Sequence, residues 1–215
     1  MKTITLSQTL VESLEWRYAT KKFDPEEKLE AETLELLLDA ARMAPTSYGL
    51  QPFSLTVVKD YEIRQRIYNE ACPQPQILQA SELVIFSVDE HIDATLVDDY
   101  IQRIAETRGV RLESLAPFST TIKNTLEPLS AMEKQGWAAR QAYIAMGFML
   151  HAAAMHRVDT CPMEGFNKEK LRPLLSEHED KLPVVLVTIG YRAEDDVYAK
   201  KTKVRKDKND FINFI

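Results

Sequence analysis

The sequence predicts a layered fold of the α/β or α+β class, with helices covering both faces of a central sheet. Three short runs rich in β-branched and apolar residues are predicted strands, at residues 53–58, 83–88 and 184–189. The last two are apolar on both faces, which is typical of strands in the middle of a sheet that helices cover on each side. This pattern favours a helix-covered sheet over a β-sandwich.

Two helices are predicted near the N-terminus from the spacing of apolar residues. The first spans residues 6–16 and leads into a cationic loop at residues 17–23. The second, over residues 31–43, repeats apolar side chains at intervals of three and four positions and ends before Pro45. The apolar face of the second helix should therefore pack against the core.

A third helix, over residues 136–156, is rich in Ala and Met and is apolar nearly all round, so we expect several neighbours to bury it. Residues 93–134 are more polar but also helical, with Pro117 and Pro128 as breaks, and could form an excursion that covers a site. The tail is basic over residues 200–208 and apolar at its end. We expect this apolar end to be packed, and in a dimer to pack on the partner subunit.

Composition limits the possible functions. The 215 residues, 45% of them hydrophobic, suffice for one domain (1–215) with a sizeable core. A net charge of -6 disfavours nucleic acid as a partner. Cys72 and Cys161 stand far apart without metal-ligand spacing, and no apolar run reaches transmembrane length. We therefore expect a cytoplasmic protein with no membrane association and no metal site.

Any phosphate group must be held by side chains, because the sequence has neither a G-x-x-x-x-G-K-[ST] loop nor a G-x-G-x-x-G loop. Two cationic pairs are the candidates: Arg17 with Lys21, and Lys203 with Arg205. The members of each pair can point to one side of the chain, and together they could hold a phosphate dianion. The alternative is structural, since cations after a helix complement its C-terminal dipole and a basic tail is often a solvated surface.

Two other segments combine small, polar and turn-forming residues. Residues 44–53 place hydroxyl groups and Gly49 between a helix end and a strand, so they could contact a polar ligand or simply connect the two elements. Residues 162–166 are predicted to form a turn whose backbone N–H groups could face an acceptor, with a plain turn as the alternative.

Taken together, these segments resemble the nitroreductase family of FMN-dependent NAD(P)H oxidoreductases. The motifs that carry the resemblance are Arg-x-[Ser/Ala]-x-Lys, Pro-[Ser/Thr]-Ser-x-x-x-Gln-Pro-[Trp/Phe], Trp-x-x-[Arg/Lys]-Gln, Pro-x-Glu-Gly-Phe and Lys-x-Arg. They stand in that order at residues 17–21, 45–53, 137–141, 162–166 and 203–205, nearly the whole chain. The resemblance implies an α+β, three-layer fold with a mainly antiparallel sheet. It also implies an intertwined homodimer whose C-terminal tail extends onto the partner.

The resemblance further implies an FMN site built by both subunits. The residues it assigns to the cofactor are Arg17, Tyr18, Ala19, Lys21, Lys203 and Arg205 around the phosphate and adjoining chain, Pro45, Thr46, Ser47 and Gly49 from the partner chain, Gln76, Gln141, and Pro162, Met163, Glu164 and Gly165. The Glu164–Gly165 backbone would meet flavin O4 and N5. Tyr48 would line the substrate pocket, with simple packing as its alternative role. No catalytic acid, base or nucleophile is implied.

The implied activity is the reduction of nitroaromatics, quinones or similar small oxidants by NADH or NADPH, in two half-reactions through flavin N5. Ala19, Gly49 and Pro73 depart from the residues common in the family, so the resemblance fixes neither the substrate range nor the redox potential. Three alternatives stay open: a specialised reductase or dehalogenase of the same fold, a non-catalytic flavin-binding protein, and an interaction module that uses the basic tail.

Overall fold

The computed structural model describes residues 6–175 and 180–215. Within them, four strands form one antiparallel sheet in the order β1-β2-β4-β3. The strands are β1 (Phe53–Val57), β2 (Glu82–Asp89), β3 (Asp159–Met163) and β4 (Lys181–Gly190). The three predicted strands are confirmed as β1, β2 and β4. Residues 1–5 and 176–179 of the predicted domain lie outside the described residues.

Helices precede, connect and follow these strands. The α-helices are α1 (Leu6–Trp16), α2 (Ala31–Arg42), α3 (Tyr61–Arg66), α4 (Gln76–Gln79), α5 (Ala94–Arg108), α6 (Ala116–Leu126), α7 (Ala131–Met155), α8 (Lys168–Leu171) and α9 (Lys208–Phe211). Helix α7 begins five residues before its predicted start, because Ser130 and Glu133 cap each other's backbone N–H groups in a reciprocal capping box. Across the described part of the chain, none of the helices combines the length and apolarity that a membrane crossing requires.

The predicted turn at residues 162–166 is wrong for its first two positions. Pro162 and Met163 belong to β3, where Pro162 lies opposite Val187 of β4. A proline cannot donate to a strand ladder, but it is tolerated here because β3 is an edge strand of the sheet, and its outer bridge to Ala19 is made at Thr160 rather than at Pro162. The turn therefore begins at Glu164.

The sheet separates two apolar layers, as the prediction of a three-layer α+β fold requires. Because side chains alternate along a strand, Val84 and Phe86 of β2 pack toward α2, α5, α6 and α7, whereas Leu83 and Ile85 pack toward α3, α4 and α8. All four side chains are fully buried. The expected fold class is confirmed.

The predicted excursion is a pair of helices, α5 and α6, on the α7 side of the sheet. Asp93 begins α5 by accepting two backbone N–H groups of its first turn, and Gly109 ends it in a left-handed conformation (φ 62°). Pro117 lies in the first turn of α6, where no intrahelical N–H bond is lost, and Pro128 follows the end of that helix. Both prolines therefore mark helix boundaries, as predicted.

Candidate functional site

The four predicted phosphate-binding cations come from the two ends of the chain and meet beside the C-terminus of α1. Burial lowers the pKa of Lys203, and repulsion from Arg17 and Arg205 lowers it further. Burial likewise lowers the pKa of Arg17, with repulsion from Arg205 as the next cause. Lys21 Nζ lies 3.9 Å from Cys161 Sγ, and Arg17 also acts electrostatically on that thiol. We call Arg17, Lys21, Lys203 and Arg205 the cation cluster.

One donor of the cation cluster is left without a protein partner. Arg17 Nε is buried, and no acceptor among the described residues bonds to it. Lys203, by contrast, donates to the carbonyl oxygens of Leu14 and Glu15, each at 2.5 Å, and so complements the last turn of α1 as the structural alternative expected. A buried, unpaired donor is unusual in a folded protein, so Arg17 Nε is available to donate to a ligand that binds at the cation cluster.

Asp159, the first residue of β3, anchors the cationic loop at residues 17–23. This fully buried carboxylate accepts from Thr20 Oγ1 at 3.1 Å and from Arg192 Nε at 2.9 Å. The Arg192 guanidinium in turn lies over the rings of Trp16 and Tyr18, at 4.1 and 4.6 Å from their centroids. The loop that carries Arg17 and Lys21 is thus anchored to Asp159 of β3 and, through the rings of Trp16 and Tyr18, to Arg192, which follows β4.

Asp196 anchors the same loop through a second set of hydrogen bonds. Its carboxylate accepts from the Tyr18 hydroxyl at 2.9 Å and from the backbone N–H groups of Lys21 and Lys22 at 2.9 and 3.2 Å. Burial, followed by this bond to Asp196, raises the pKa of Tyr18. The hydroxyl of Tyr18 thus has a protein partner and its ring contacts Arg192, and the cofactor contacts of Tyr18 and Ala19 stay predictions.

The Glu164–Gly165 turn lies at the end of β3 and offers two backbone donors. Both residues are exposed, and no protein acceptor among the described residues takes either backbone N–H group. The turn is pinned in place because Gln74 Nε2 donates to Gly165 O at 3.3 Å and Asn167 N donates to Ala71 O at 2.8 Å. The open N–H groups therefore belong to an ordered turn, as the prediction for this segment requires.

Gln76 lies beside the same thiol as Lys21 of the cation cluster, and Tyr143 lies beside Glu164 of the turn. Gln76 is buried, and its Nε2 lies 4.0 Å from Cys161 Sγ. Burial raises the pKa of the Cys161 thiol, although neighbouring Lys21 acts in the opposite direction. The Tyr143 hydroxyl donates to a β4 carbonyl oxygen, and burial followed by the nearby Glu164 raises the pKa of Tyr143. Several of the predicted cofactor residues thus lie along β3, one outer strand of the sheet. They include Lys21, Gln76, Glu164 and Gly165.

The predicted loop at residues 45–49 lies at the other edge of the sheet. It precedes β1, and β1 and β3 are the two outer strands. Three strand spacings of roughly 4.8 Å separate these edges by about 14 Å. Within one chain, the loop at residues 45–49 and the Glu164–Gly165 turn are therefore attached to opposite outer strands of the sheet.

The loop is strained and is held from several sides. Tyr48, Gly49 and Gln51 have positive φ angles of 59°, 85° and 50°, which non-glycine residues rarely adopt. The Tyr48 hydroxyl lies 3.1 Å from Thr125 Oγ1, and its ring meets Phe118 edge-on at 6.2 Å between centroids, both on α6. Tyr48 thus contacts α6 of the excursion, as expected if the excursion covers the substrate pocket that Tyr48 is predicted to line.

Gln141 supports this loop. Its Oε1 accepts from Ser47 N at 2.9 Å and its Nε2 donates to Trp137 O at 3.3 Å. The side chain is buried, so both ends of the amide are used within the chain. Within the chain Gln141 holds Ser47, and its direct cofactor contact stays a prediction.

Two cavities adjoin these elements. One of about 640 Å³ is lined by α7, α8 and the start of β4, including Ala139 and Val184, and contains none of the predicted site residues. Another of about 300 Å³ is lined by Tyr18, Lys203 and their neighbours, beside the cation cluster. Within the described residues, no group of three or more His, Cys, Asp or Glu side chains is arranged to hold a metal ion.

Known proteins share the fold of this chain. The family model described as "Nitroreductase family" matches residues 14–191. A Staphylococcus epidermidis protein named as a candidate NAD(P)H nitroreductase is 32% identical over 224 residues, covering 98% of each chain. A solved candidate nitroreductase of Bacillus subtilis matches with a TM-score of 0.85 at 19% identity, over 95% of this chain and 98% of that one. A solved candidate nitroreductase of Exiguobacterium sibiricum, in complex with FMN, matches with a TM-score of 0.81 at 20% identity, over 99% of this chain and 100% of that one.

Proposed function

We propose, since the chain belongs to the nitroreductase family, that it is an FMN-dependent NAD(P)H oxidoreductase acting on nitroaromatics, quinones or similar small oxidants. We take residues 1–215 as a single FMN-binding domain. One observation carries the proposal: a buried, unpaired Arg17 Nε lies within a cluster of four cations, along the same sheet edge as two open backbone N–H groups. When bound, FMN supplies the exchange of two electrons between a nicotinamide and an oxidant.

The residues at this edge fit FMN. Arg17 and Arg205 provide planar forks for phosphate oxygens, and Lys21 adds a point charge. The open N–H groups of Glu164 and Gly165 would donate to the acceptor edge of the ring, where they favour the build-up of negative charge. The same residues would hold and orient the ring without a side-chain acid or base.

We also infer that the protein is a homodimer, because the two halves of the site lie at opposite edges of the sheet in one chain. A second copy related by a two-fold axis would bring its loop at residues 45–49 to the cation cluster of the first. The described chain also exposes apolar side chains that a monomer has no reason to leave in water. These are Leu10, Val11 and Leu14 on α1, Ile144 and Phe148 on α7, and Phe211 and Phe214 in the tail.

Placing a charge on α7 tests the dimer. We expect Phe148→Glu, at a position 47% exposed in the single chain, to raise the dimer dissociation constant at least about tenfold, because a buried unpaired carboxylate is unfavourable. FMN should be lost in parallel. Sedimentation equilibrium with flavin absorbance measures both, and Tyr61→Glu, on α3 in the opposite layer, is the matched control. A Phe148→Glu monomer that keeps its FMN would show that one chain completes the site.

The activity is tested by a visible spectrum of the purified protein, followed by anaerobic addition of NADH or NADPH. We expect a flavin spectrum that bleaches with one or both donors and recovers when a nitroaromatic or a quinone is added. A colourless protein that cannot be reconstituted with FMN would overturn the proposal. A yellow protein that neither donor reduces would favour the alternative of a flavin-binding protein.

A further inference from the structure

Tyr100, on α5 of the excursion, contacts the strained loop at its tightest point. Its hydroxyl donates to the carbonyl oxygen of Tyr48 at 2.6 Å. A Cβ built on Gly49 would lie 2.3 Å from the same hydroxyl oxygen, so glycine alone fits beneath it. One hydroxyl group therefore fixes the position of two consecutive residues with positive φ.

This contact is the link between the loop backbone and α5. The other supports come from elsewhere: Gln141 of α7 accepts from Ser47 N at 2.9 Å, and Thr125 of α6 lies 3.1 Å from the Tyr48 hydroxyl. A non-glycine residue with positive φ is unfavourable and persists only where its surroundings fix it. The short bond from Tyr100 lies at the residue that carries this strain, Tyr48.

We propose that Tyr100 is a positioning residue whose hydroxyl holds Tyr48 and Gly49 in their strained conformation and so couples the excursion to the cofactor loop. The inference rests on the proposed function, in which this loop contacts the FMN held by the partner subunit. Without the hydroxyl, the backbone of Tyr48 can relax, and the loop groups that face the cofactor lose their fixed placement. Tyr100 then controls how long FMN stays bound, although it does not touch the cofactor itself.

The test compares Tyr100→Phe with Tyr68→Phe. Tyr68 is also half-buried, and its hydroxyl has no bonded partner in the part of the chain that the structure describes. Hydrogen exchange is measured on a peptide covering residues 44–53, first without FMN. The reporters are the amides of Gly49 and Leu50, which donate within the loop at 3.0 and 3.2 Å. We expect exchange about two- to tenfold faster in Tyr100→Phe, the factor that one neutral hydrogen bond provides, and no change in the control.

The second readout is the rate of FMN release, which is monitored by the recovery of flavin fluorescence. It should rise by about the same two- to tenfold factor in Tyr100→Phe alone. Unchanged loop exchange, or faster exchange with unchanged FMN release, would overturn the proposal. A wild-type chain that binds no FMN would overturn the proposed function instead, and the exchange experiment without FMN separates the two failures.

A double replacement tests whether strain is what the hydroxyl restrains. Tyr48→Gly removes the unfavourable φ, because glycine adopts positive φ freely. In that background, Tyr100→Phe should accelerate loop exchange by a clearly smaller factor than it does in the wild-type chain. Equal factors in the two backgrounds would show that Tyr100 does not act through the strained backbone, and would overturn this part of the mechanism.

Discussion

Replacing Arg17 with Met is expected to weaken FMN binding by about ten- to a hundredfold without destabilising the protein that lacks FMN. The loss corresponds to charge-assisted hydrogen bonds of roughly 1.5–3 kcal/mol to the phosphate. Without FMN, the wild-type chain has a buried Arg17 Nε with no partner among the described residues, next to the repelling charge of Arg205. Met fills similar space and removes both the unpaired donor and the repulsion, so the melting temperature should stay level or rise.

Fluorescence quenching titrations with FMN and melting curves of the FMN-free protein measure the two effects separately. Lys22→Met is the matched control, since Lys22 is adjacent in sequence to the cation cluster but forms an exposed ion pair with Asp195. It should change neither quantity appreciably. If Arg17→Met instead lowered the melting temperature of the FMN-free protein and left affinity intact, Arg17 would have a structural role only.

Much of the fold could be predicted from the sequence, because elements that bury apolar faces repeat apolar residues along the chain. This is why β2, β4 and α2 were predictable. Strand β3 was missed because its sequence, Asp-Thr-Cys-Pro-Met, has no apolar repeat and contains a proline. Only its position at the sheet edge makes that proline acceptable, and strand order is not visible in a single sequence.

The candidate site could be predicted in part. The cations were found because they occur as close pairs in the chain, and the structure brings the pairs together. The residues that anchor these cations could not be found in the sequence. Each is a single polar residue whose partner is far away along the chain. Asp159 bonds to Thr20 over 139 positions, and Asp196 bonds to Lys21 over 175. Such pairs leave no local pattern, and the same is true of Tyr100.

The division of the proposed site between two chains came from the family resemblance and not from any pattern of residues in the sequence. Residues 45–49 and 162–165 both carry suitable groups, but the distance between them depends on the order β1-β2-β4-β3. Once this order is known, it supports the proposed homodimer, because in one chain the two segments are attached to opposite outer strands of the sheet.

Replacing Asp159 with Ala should destabilise the protein far more than replacing Arg17 with Met. We expect the free energy of unfolding to fall by about 3–5 kcal/mol. Asp159 is 3% exposed and bonds to the Arg192 side chain, the Arg192 backbone N–H group and Thr20. Its loss leaves the largely buried Arg192 guanidinium without its carboxylate. Urea unfolding of the FMN-free protein measures the loss, with Asp195→Ala as the control. Because Asp195 pairs with Lys22 in an exposed site, that control should lower the free energy of unfolding far less than Asp159→Ala does.

A second replacement separates the unpaired charge from the other consequences of losing Asp159. In Asp159→Leu with Arg192→Met, no charge is left buried, so the double variant should recover a large part of the stability that Asp159→Ala loses. It should not recover FMN affinity, because Thr20 still lacks the partner that fixes the loop between Arg17 and Lys21. Recovery of both properties would mean that the cation cluster keeps its geometry without this anchor. Recovery of neither would mean that the loss comes from the hydrogen bonds to Thr20 and to the Arg192 backbone rather than from the buried charge.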